Sequence, residues 1–466
     1  ADGLIFEGQS SVDMASITGE SVPVEVGPGA EVLNGAINLG GLLRVRVTQV
    51  GAQTTLGRVV ALLQDAERAK PPVTRLLERY AQSYIVLVLL LAAGAWFYTN
   101  QTAVMLTVLV ASCPCALVLA TPATSIAAIS VASRHGILVK SAAFLETLAT
   151  VDSLALDKTG TVTLGRLQLA GVRPEPGVDP QALVALAAAL GAVSNHPVSR
   201  ALADSAAAGA FSLSDVRETH GLGVVALDEG QTVALGRKAL FDELGVAASE
   251  PPSHDGPVAG VSRGRAFLGW VMLSDAVRPE AAEALAALDR LGLKRRMLIT
   301  GDRRPAAEAV AGQLAIPVVH AELLPAEKFD VIVAETRAGH RPLVVGDGIN
   351  DALALKAGTV GIAMGGQGAD VALASADLVL MVNDLRRLAT CIRLSRRCRR
   401  TIYLNFAISL IWTAAMVAAA AMGLLGVHGA VVAAVLQDLS SIVIVINAGR
   451  LLKFQELLAP VTTDGR

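Results

Sequence analysis

The sequence has 466 residues, and its 39 Lys and Arg against 41 Asp and Glu give a formal net charge of −2. Hydrophobic residues make up 53% and charged residues 17%, against roughly a quarter in soluble domains, and the mean hydropathy is +0.54. This balance excludes a disordered or wholly soluble protein, offers no basic field for nucleic acid, and predicts membrane segments. The four cysteines do not form the pattern of a secreted disulfide framework.

The first candidate motif is Thr18-Gly19-Glu20-Ser21, which precedes every long apolar run. The glycine permits a tight exposed turn that would project the Glu20 carboxylate. A solitary acidic loop has no special meaning, so the interpretation of this motif depends on those that follow.

Four apolar stretches, at 80–98, 103–132, 402–425 and 430–448, are long enough to cross a hydrocarbon layer about 30 Å thick. Short turns at 99–101 and 426–429 join them in pairs, which predicts two transmembrane helical hairpins. Lys and Arg lie at the ends of the hairpins opposite the short turns, and neither turn contains a Lys or an Arg. Because cytoplasmic flanks hold the excess of positive residues, we expect residues 1–79 and 134–401 to lie in the cytoplasm.

The second apolar stretch contains Cys113-Pro114-Cys115. Residues two apart point to nearly opposite sides of an unbroken helix, but a proline removes a backbone hydrogen bond and lets both sulfurs converge. Thiolates select soft and borderline cations, so the pattern favours a metal-ion site over two buried thiols beside a kink. Cys391 and Cys398 are interpreted as packing residues.

Between the hairpins, apolar runs alternate with helical patterns, which predicts a parallel sheet covered by helices. Strands are predicted at 153–156, 296–299, 342–345, 360–363 and 378–381, with helices such as 279–291 and 305–314 between them. Ligands bind at the carboxyl ends of such strands, where this chain has Asp157, Thr300-Gly301-Asp302 and Gly346-Asp347-Gly348. Residues 166–268, bounded by Pro and Gly clusters, are predicted to form an inserted lobe.

The segment Asp157-Lys158-Thr159-Gly160-Thr161 carries the strongest chemical signal. A carboxylate on a turn that leaves a buried strand can attack a phosphoryl group. The following Thr-Gly-Thr offers hydroxyls and backbone N–H groups to the transferred phosphate. The segment therefore indicates chemistry through an aspartyl phosphate.

With this segment, the sequence resembles the heavy-metal, Cys-Pro-Cys branch of the P-type ATPases. The resemblance rests on four strings in the family's order, at 18–21, 157–161, 300–302 and 346–351, and on the positions of the hairpins. It implies a multidomain α/β membrane protein. The family has further membrane helices before a segment like Ala1-Asp2-Gly3, so the chain is expected to be an amino-terminally truncated part of a larger pump.

The resemblance also implies the domain organisation. The expected parts are a partial β-rich actuator domain (1–70), a transmembrane hairpin with Cys-Pro-Cys (71–133), a haloacid-dehalogenase-like doubly wound phosphorylation domain (134–165 and 269–385), an inserted α+β nucleotide-binding domain (166–268) and a carboxy-terminal transmembrane hairpin (386–466).

Catalytic roles follow from the resemblance, residue by residue. Asp157 would be the nucleophile that takes the γ-phosphoryl group of ATP, and Glu20 would position the water that hydrolyses the aspartyl phosphate. Mg²⁺ would be held by Asp157, Asp347 and the backbone carbonyl of Thr159. Lys328 and Thr300 would steady the phosphoryl oxygens. The implied phosphate shell consists of Thr159, Gly301, Asn350 and Asp351.

Inside the inserted lobe, His196-Pro197 and the string from Glu218 to Val224 match nucleotide contacts of the heavy-metal branch. The resemblance implies that His196, Glu218, Gly221 and Gly223 contact the adenine side of ATP. The glycines permit close backbone approach, and the imidazole can hydrogen-bond or stack.

The resemblance leaves the transported metal open. Copper pumps have a Tyr-Asn pair in the third of these helices and a Met with two serines in the fourth, while zinc and cadmium pumps have a Lys and an Asp. This chain has Ser409-Leu410-Ile411-Trp412-Thr413 and Gln437-Asp438-Leu439-Ser440-Ser441. Asp438 is expected to join Cys113 and Cys115 on the ion path, because an intramembrane carboxylate is costly without a cavity or partner. A Zn²⁺ or Cd²⁺ cargo is favoured over Cu⁺, and Mn²⁺ stays open.

The favoured function is ATP-driven export of a heavy-metal cation by a multi-pass plasma-membrane protein. Its expected partners are ATP, the metal ion and the lipid bilayer; a metal donor protein stays open, and no nucleic acid is expected. One alternative is a membrane-anchored haloacid-dehalogenase-type phosphohydrolase, which has no use for Cys-Pro-Cys. The other is a non-pumping metal sensor or scaffold, which has no use for an intact Asp157 site.

Overall fold

The computed structural model describes residues 1–13, 24–32, 34–51, 75–205, 211–219, 221–347, 351–365, 375–426, 428–456 and 458, with side chains of the first helix from residue 83 onward. The predicted site residues Glu20 and Asn350 lie outside the described residues.

Six short strands form the amino-terminal part. They are β1 (Asp2–Glu7), β2 (Ser10–Asp13), β3 (Val24–Val26), β4 (Glu31–Val32), β5 (Ile37–Asn38) and β6 (Arg44–Gln49). They pair in two antiparallel three-stranded sheets, in the orders β4-β1-β6 and β3-β2-β5. Ile5, Val12 and Val26 fill a small core shared by the two sheets.

The first membrane hairpin contains α1 (Arg75–Thr99), α2 (Thr102–Ala111) and α3 (Cys115–Arg134). The break between α2 and α3 lies at Pro114, as predicted, because proline cannot donate the hydrogen bond that would continue the helix. Pro122 lies inside α3 without ending it. Residues 102–134 are long and apolar enough to cross a membrane, whereas the described apolar part of α1 is shorter, at 83–99.

The chain then begins one sheet and inserts a second. The first sheet starts with β7 (Ile137–Val139), α4 (Ala142–Leu148) and β8 (Ser153–Asp157). The insertion contains β9 (Thr163–Pro174), α5 (Pro180–Ala192), α6 (Pro197–Ala203), β10 (Leu213–Thr219), β11 (Gly223–Asp228), β12 (Gln231–Gly236), α7 (Lys238–Glu243), β13 (Val258–Arg263) and β14 (Ala266–Val277). Its strands form an antiparallel sheet in the order β10-β11-β12-β13-β14-β9. Strands β9 and β14 extend past the expected limits at 166 and 268.

After the insertion, the chain completes the first sheet. The elements are α8 (Ala281–Arg290), β15 (Arg295–Ile299), α9 (Arg304–Gln313), β16 (Val318–His320), α10 (Pro325–Arg337), β17 (Pro342–Gly346), α11 (Ala352–Ala357), β18 (Val360–Met364) and β19 (Leu378–Leu380). The strand order is β16-β15-β8-β17-β18-β19-β7, and only β7 is antiparallel to its neighbour. Leu154 and Leu156 pack into one core and Ala155 into another, so both faces of the sheet are covered.

The second hairpin consists of α12 (Arg387–Ala421) and α13 (Gly429–Gly449), followed by a turn of 3₁₀ helix at Arg450–Lys453. Both helices are long and apolar enough to cross a membrane. Helix α12 begins well before the predicted apolar stretch, because Leu388, Ile392 and Leu394 pack into the core of the seven-stranded sheet. The predicted fold class, a multidomain α/β membrane protein with two helical hairpins, is confirmed.

Candidate active site

Asp157 lies at the carboxyl end of β8, where the chain enters the loop Lys158–Val162. Gly160 has a φ of 71°, in the left-handed region that glycine adopts without strain. A Cβ at this position would lie 3.5 Å from the Cβ of Asp347, so the loop passes close to the end of β17. The loop thus brings Thr159 and Gly160 to the same edge of the sheet as Asp157 and Asp347.

Lys328 joins two of the predicted site residues. Its Nζ lies 2.6 Å from Oδ1 of Asp157 and 2.7 Å from Oδ1 of Asp351, and all three side chains are buried. Burial lowers the pKa of Lys328, but the two carboxylates outweigh burial and raise the pKa above its usual value. The lysine is therefore a fixed cation between the two carboxylates.

The carboxylates around Lys328 carry more negative charge than one lysine offsets. Burial raises the pKa of Asp157 well above its ordinary value; Asp351 raises it further, Lys328 lowers it, and Asp347 raises it. Oδ2 of Asp351 is buried with no hydrogen-bond partner in the described part of the chain. These groups are oxygen donors, and Mg²⁺ prefers oxygen ligands. The residues present therefore fit a magnesium ion.

The Thr300-Gly301-Asp302 loop lies next to Asp157, because β15 and β8 pair in parallel with Ile299 opposite Asp157. Thr300 is buried, and its Oγ1 accepts a hydrogen bond from the Asp302 backbone N–H at 3.1 Å. The Asp302 carboxylate forms an ion pair with Lys158. This pair, for which the sequence analysis assigned no role, ties the loop after Asp157 to the loop after β15.

Two residues that sequence reasoning missed hold the Asp157 loop in place. Arg278 donates from Nε to the Thr161 carbonyl at 2.7 Å, and another guanidinium nitrogen donates to the Gly160 carbonyl at 2.9 Å. Asp275 accepts from the Thr163 hydroxyl at 2.6 Å and the Gly165 N–H at 2.9 Å. Their partners are mostly backbone groups, which leave no side-chain pattern in the sequence. The only signal was two charged residues three apart at the end of an apolar run.

A cavity of about 870 Å³ opens beside this loop. Its lining includes Lys158 and Thr159, and also Glu25 from the amino-terminal strands. The structure also brings the four predicted nucleotide contacts to this cavity: His196, Glu218, Gly221 and Gly223. A ligand in the lobe would thus extend toward the loop that follows Asp157.

Inside the lobe, the side chains around His196 are fixed by local hydrogen bonds. His196 precedes α6 and its Nδ1 accepts from the Val198 N–H at 3.3 Å. Ser194 Oγ donates to Glu218 at 2.8 Å and accepts from the His196 N–H at 3.1 Å. Burial lowers the pKa of His196, which favours the neutral ring at neutral pH. A neutral, oriented imidazole suits stacking or hydrogen bonding.

Strand pairing, besides the cavity, explains why residue 223 is a glycine. Its φ is 148°, and a Cβ there would lie 2.1 Å from the Leu235 carbonyl oxygen of the paired strand β12. The pairing of β11 with β12 therefore requires glycine at this position. Gly221, with a φ of 76°, lines the cavity directly.

Cys113 and Cys115 lie at the break between α2 and α3, and their Cα atoms are 5.4 Å apart. The proline brings the two sulfurs together, as expected. The structure differs from the expected thiol pair because the sulfurs are joined in a disulfide. Residues at this Cα separation are within disulfide range, whereas metal ligation requires the reduced thiolates.

Asp438 does not come together with the cysteines. Its side chain is exposed on α13, while the neighbouring Gln437 is only 3% exposed and donates from Nε2 to the Cys113 carbonyl oxygen. Neighbouring residues on a helix point about 100° apart, so only one of them faces the break. In the described part of the chain, no group of three or more His, Cys, Asp or Glu side chains is arranged to hold a metal ion. The magnesium set named above differs, because it combines two carboxylates, Asp157 and Asp347, with the backbone carbonyl of Thr159.

An aspartate at the end of a buried strand, a lysine fixed over it and a lobe inserted after it define the class of protein. Residues 151–359 match the haloacid dehalogenase-like hydrolases, and residues 1–64 match the P-type ATPase actuator domain. This combination, together with membrane helices that precede and follow the seven-stranded sheet along the chain, is that of a P-type ATPase.

Similar proteins define the branch. The zinc-transporting ATPase of Bacillus subtilis is 34% identical over 97% of this chain and 73% of its own length. The probable cation-transporting ATPase G of Mycobacterium tuberculosis is 38% identical over 100% of this chain and 61% of its own length. A crystal structure of a zinc-transporting PIB-type ATPase in the E2.Pi state has a TM-score of 0.85 at 32% identity, covering 97% of this chain and 76% of that one. The chain belongs to the heavy-metal, PIB-type branch of the P-type ATPases.

Proposed function

We propose that the protein uses ATP to export a heavy-metal cation through an aspartyl phosphate at Asp157. The observation that carries the proposal is the convergence of Asp157, Lys328 and Asp351 next to a cavity that reaches into the inserted lobe. The names of the similar proteins, a zinc transporter and a cation transporter, support the cargo class.

In the proposed reaction, ATP lies in the cavity with its base near His196 and its phosphates toward Thr159. An Asp157 carboxylate oxygen forms a bond to the γ-phosphorus while the bond to the bridging oxygen breaks, and ADP leaves. Lys328 offsets the charge on the phosphoryl oxygens, with Thr300 as a hydroxyl donor. Mg²⁺, when bound by Asp157, Asp347 and the Thr159 carbonyl, would neutralise charge between the carboxylates and the phosphate. Gly301, Asn350 and Asp351 would complete the phosphate shell.

The second half of the proposed cycle is hydrolysis of the aspartyl phosphate. Glu20 would position the attacking water, and its place on the amino-terminal part would let it reach the phosphate after transfer. The balance of positive residues around the hairpins supports cytoplasmic catalytic domains and a plasma-membrane location.

For the cargo, we propose reduced Cys113 and Cys115 together with Gln437, in place of the expected Asp438. Oε1 of Gln437 is buried without a hydrogen-bond partner in the described residues. The amide nitrogen faces a carbonyl, so the amide orientation is fixed by chemistry. An uncharged amide oxygen added to two thiolates would suit a divalent cation better than Cu⁺, which needs only soft sulfur ligands. Zn²⁺ or Cd²⁺ is therefore favoured, Cu⁺ is second and Mn²⁺ third.

The test uses the full-length protein, reduced and reconstituted in lipid. ATP hydrolysis is measured with Zn²⁺, Cd²⁺, Cu⁺, Co²⁺ or Mn²⁺ in turn, together with acid-stable labelling from γ-labelled ATP. We expect metal-stimulated hydrolysis and a hydroxylamine-sensitive phosphoenzyme, both absent in Asp157→Asn. Hydrolysis indifferent to every metal would support the phosphohydrolase, and metal binding without labelling would support the sensor.

A further inference from the structure

The last membrane helix is followed by a short segment, Arg450–Glu456, which we call the anchor segment. It starts with the 3₁₀ turn and continues in extended form through Phe454. Leu451 and Phe454 are buried in the core that covers one face of the seven-stranded sheet. The anchor segment therefore packs against the phosphorylation domain while remaining continuous with α13.

On one side, the anchor segment contacts the end of α3. The Arg134 guanidinium donates to the Leu452 carbonyl at 2.7 Å, and the Glu456 backbone N–H donates to Nε2 of His135 at 3.2 Å. His135 Nδ1 lies 2.8 Å from the Val131 carbonyl, so this nitrogen carries the proton and Nε2 is free to accept. The Phe454 ring packs edge-on against the imidazole, with centroids 5.7 Å apart.

On the other side, the anchor segment contacts the start of α12. Two guanidinium nitrogens of Arg393 donate hydrogen bonds to the Glu456 carboxylate, and one of them, Nε, lies 3.2 Å from Oε2. A guanidinium nitrogen of Arg387 lies 3.5 Å from the Glu456 carbonyl oxygen, and the Arg397 guanidinium lies 5.9 Å from the Phe454 ring centroid. The Glu456 side chain is 18% exposed, so this two-nitrogen contact is partly shielded from water.

The order of the elements along the chain shows what these contacts connect. The chain leaves the membrane through α3 and returns through α12, and these are the two covalent links between the described membrane helices and the seven-stranded sheet. In the described residues, helix α13 is followed by the anchor segment rather than by a strand of the sheet. It packs on α3 through apolar contacts such as Ile444 with Ala116 and Ala120. The anchor segment connects the cytoplasmic end of α13 to the end of α3 and to the start of α12.

We propose that the anchor segment transmits displacements of the phosphorylation domain to α13, with Glu456 as the positioning residue. Helix α13 carries Gln437, which contacts the Cys113 carbonyl, so a shift of α13 changes the surroundings of the cysteines. The inference rests on the proposed function, because coupling between phosphorylation and cargo has meaning only for a pump.

The test measures metal ions transported per ATP hydrolysed by the full-length protein in proteoliposomes, with Zn²⁺ as the probe. Glu456→Gln should lower this ratio at least about fivefold, the order expected on losing one charge-assisted contact, with phosphoenzyme from ATP kept within about twofold. The exchange of Arg393→Glu with Glu456→Arg should recover part of the ratio that each single reversal loses. Lys453→Gln, an exposed charge in the same segment, is the matched control and should leave the ratio unchanged.

An unchanged ratio in Glu456→Gln and in Glu456→Ala, with a transporting parent, would overturn this inference alone. Loss of phosphoenzyme in proportion to transport would overturn it as well, since that is the behaviour of a damaged catalytic domain. Absence of metal transport by the parent would overturn the proposed function and this inference together.

Discussion

Lys328 contacts Asp157 and lowers the pKa of this carboxyl, against the raising effects of burial and of Asp351. It is the cation closest to Asp157, and Asp351 on its other side adds a negative charge to the same buried space. A carboxylate must be ionised to attack phosphorus, yet burial and its neighbours raise the pKa of Asp157. Lys328 is therefore expected to keep the nucleophile ionised as well as to steady the phosphate.

Replacing Lys328 with Met should slow phosphoenzyme formation by about a hundredfold at neutral pH. Without the cation, the pKa of Asp157 rises further, so less of the carboxylate is ionised at neutral pH and more becomes ionised as the pH is raised. The deficit should shrink toward alkaline pH. The measurement is the initial rate of labelling from γ-labelled ATP across pH, with Lys328→Arg as the charge-preserving comparison. Parallel pH profiles for Lys328→Met and the parent would contradict this explanation.

Gln437 and Asp438 offer a second test at the residue scale. Gln437→Leu should raise the metal concentration for half-maximal ATPase stimulation at least about tenfold, because it removes a buried oxygen beside the cysteines. Asp438→Asn is the matched neighbour and should change it by less than about twofold, because its side chain points away from the break. Labelling from inorganic phosphate reports whether each variant is folded. The opposite ranking would return Asp438 to the ion path.

The break between α2 and α3 brings together Cys113 and Cys115, which we propose as ligands of the transported metal. Pro114→Ala should restore a continuous helix, in which residues two apart point to nearly opposite sides. After mild oxidation and unfolding, we expect two fewer titratable thiols in the parent than in Pro114→Ala, and metal stimulation should be lost in the variant. Pro122→Ala is the matched control, because that proline lies inside α3 without ending it. Equal thiol counts in parent and Pro114→Ala would show that the sulfurs meet without the proline.

At the scale of elements, the sequence predicted what depends on local patterns. All five predicted strands are present, and the helix break falls where Pro114 predicted it. The strands β7 and β16 have three residues each, too few to give a recognisable pattern. Gln437, rather than Asp438, faces the break between α2 and α3 because of the orientation of α13 about its own axis. Packing between the helices sets this orientation, and the local sequence does not show it. Arg278 was missed because it binds backbone carbonyls of a distant loop.

In the whole molecule, the amino-terminal strands approach the inserted lobe. Glu25 lines the cavity, and a Cβ at Gly221 would lie 3.4 Å from its carboxylate. In the proposed function, a nucleotide would bring several negative charges to the same space. When Glu25 occupies the observed position, its carboxylate would repel the phosphates of a nucleotide in the cavity.

Glu25→Gln should therefore strengthen the binding of a non-hydrolysable ATP analogue by about threefold at low ionic strength, and the gain should shrink at high salt. Calorimetry on the full-length protein measures both affinities. Glu31→Gln, an exposed carboxylate in the same strands that does not line the cavity, should have no such effect. Equal affinities of Glu25→Gln and the parent in dilute buffer would mean that the carboxylate does not oppose the nucleotide.

The place of the insertion also has a consequence for the order in which the chain folds. Strand β8 ends at residue 157, while its neighbour β15 begins at residue 295. The entering and leaving strands of the insertion, β9 and β14, pair with each other along their length, from Thr163 with Val277 to Pro174 with Gly269. Once the inserted lobe has folded, this pairing holds the ends of β8 and the returning chain together and removes most of the loop-closure cost. We therefore expect the lobe to fold first and the sheet that holds Asp157 to form around it, so that the phosphate acceptor exists only in chains whose lobe is already complete.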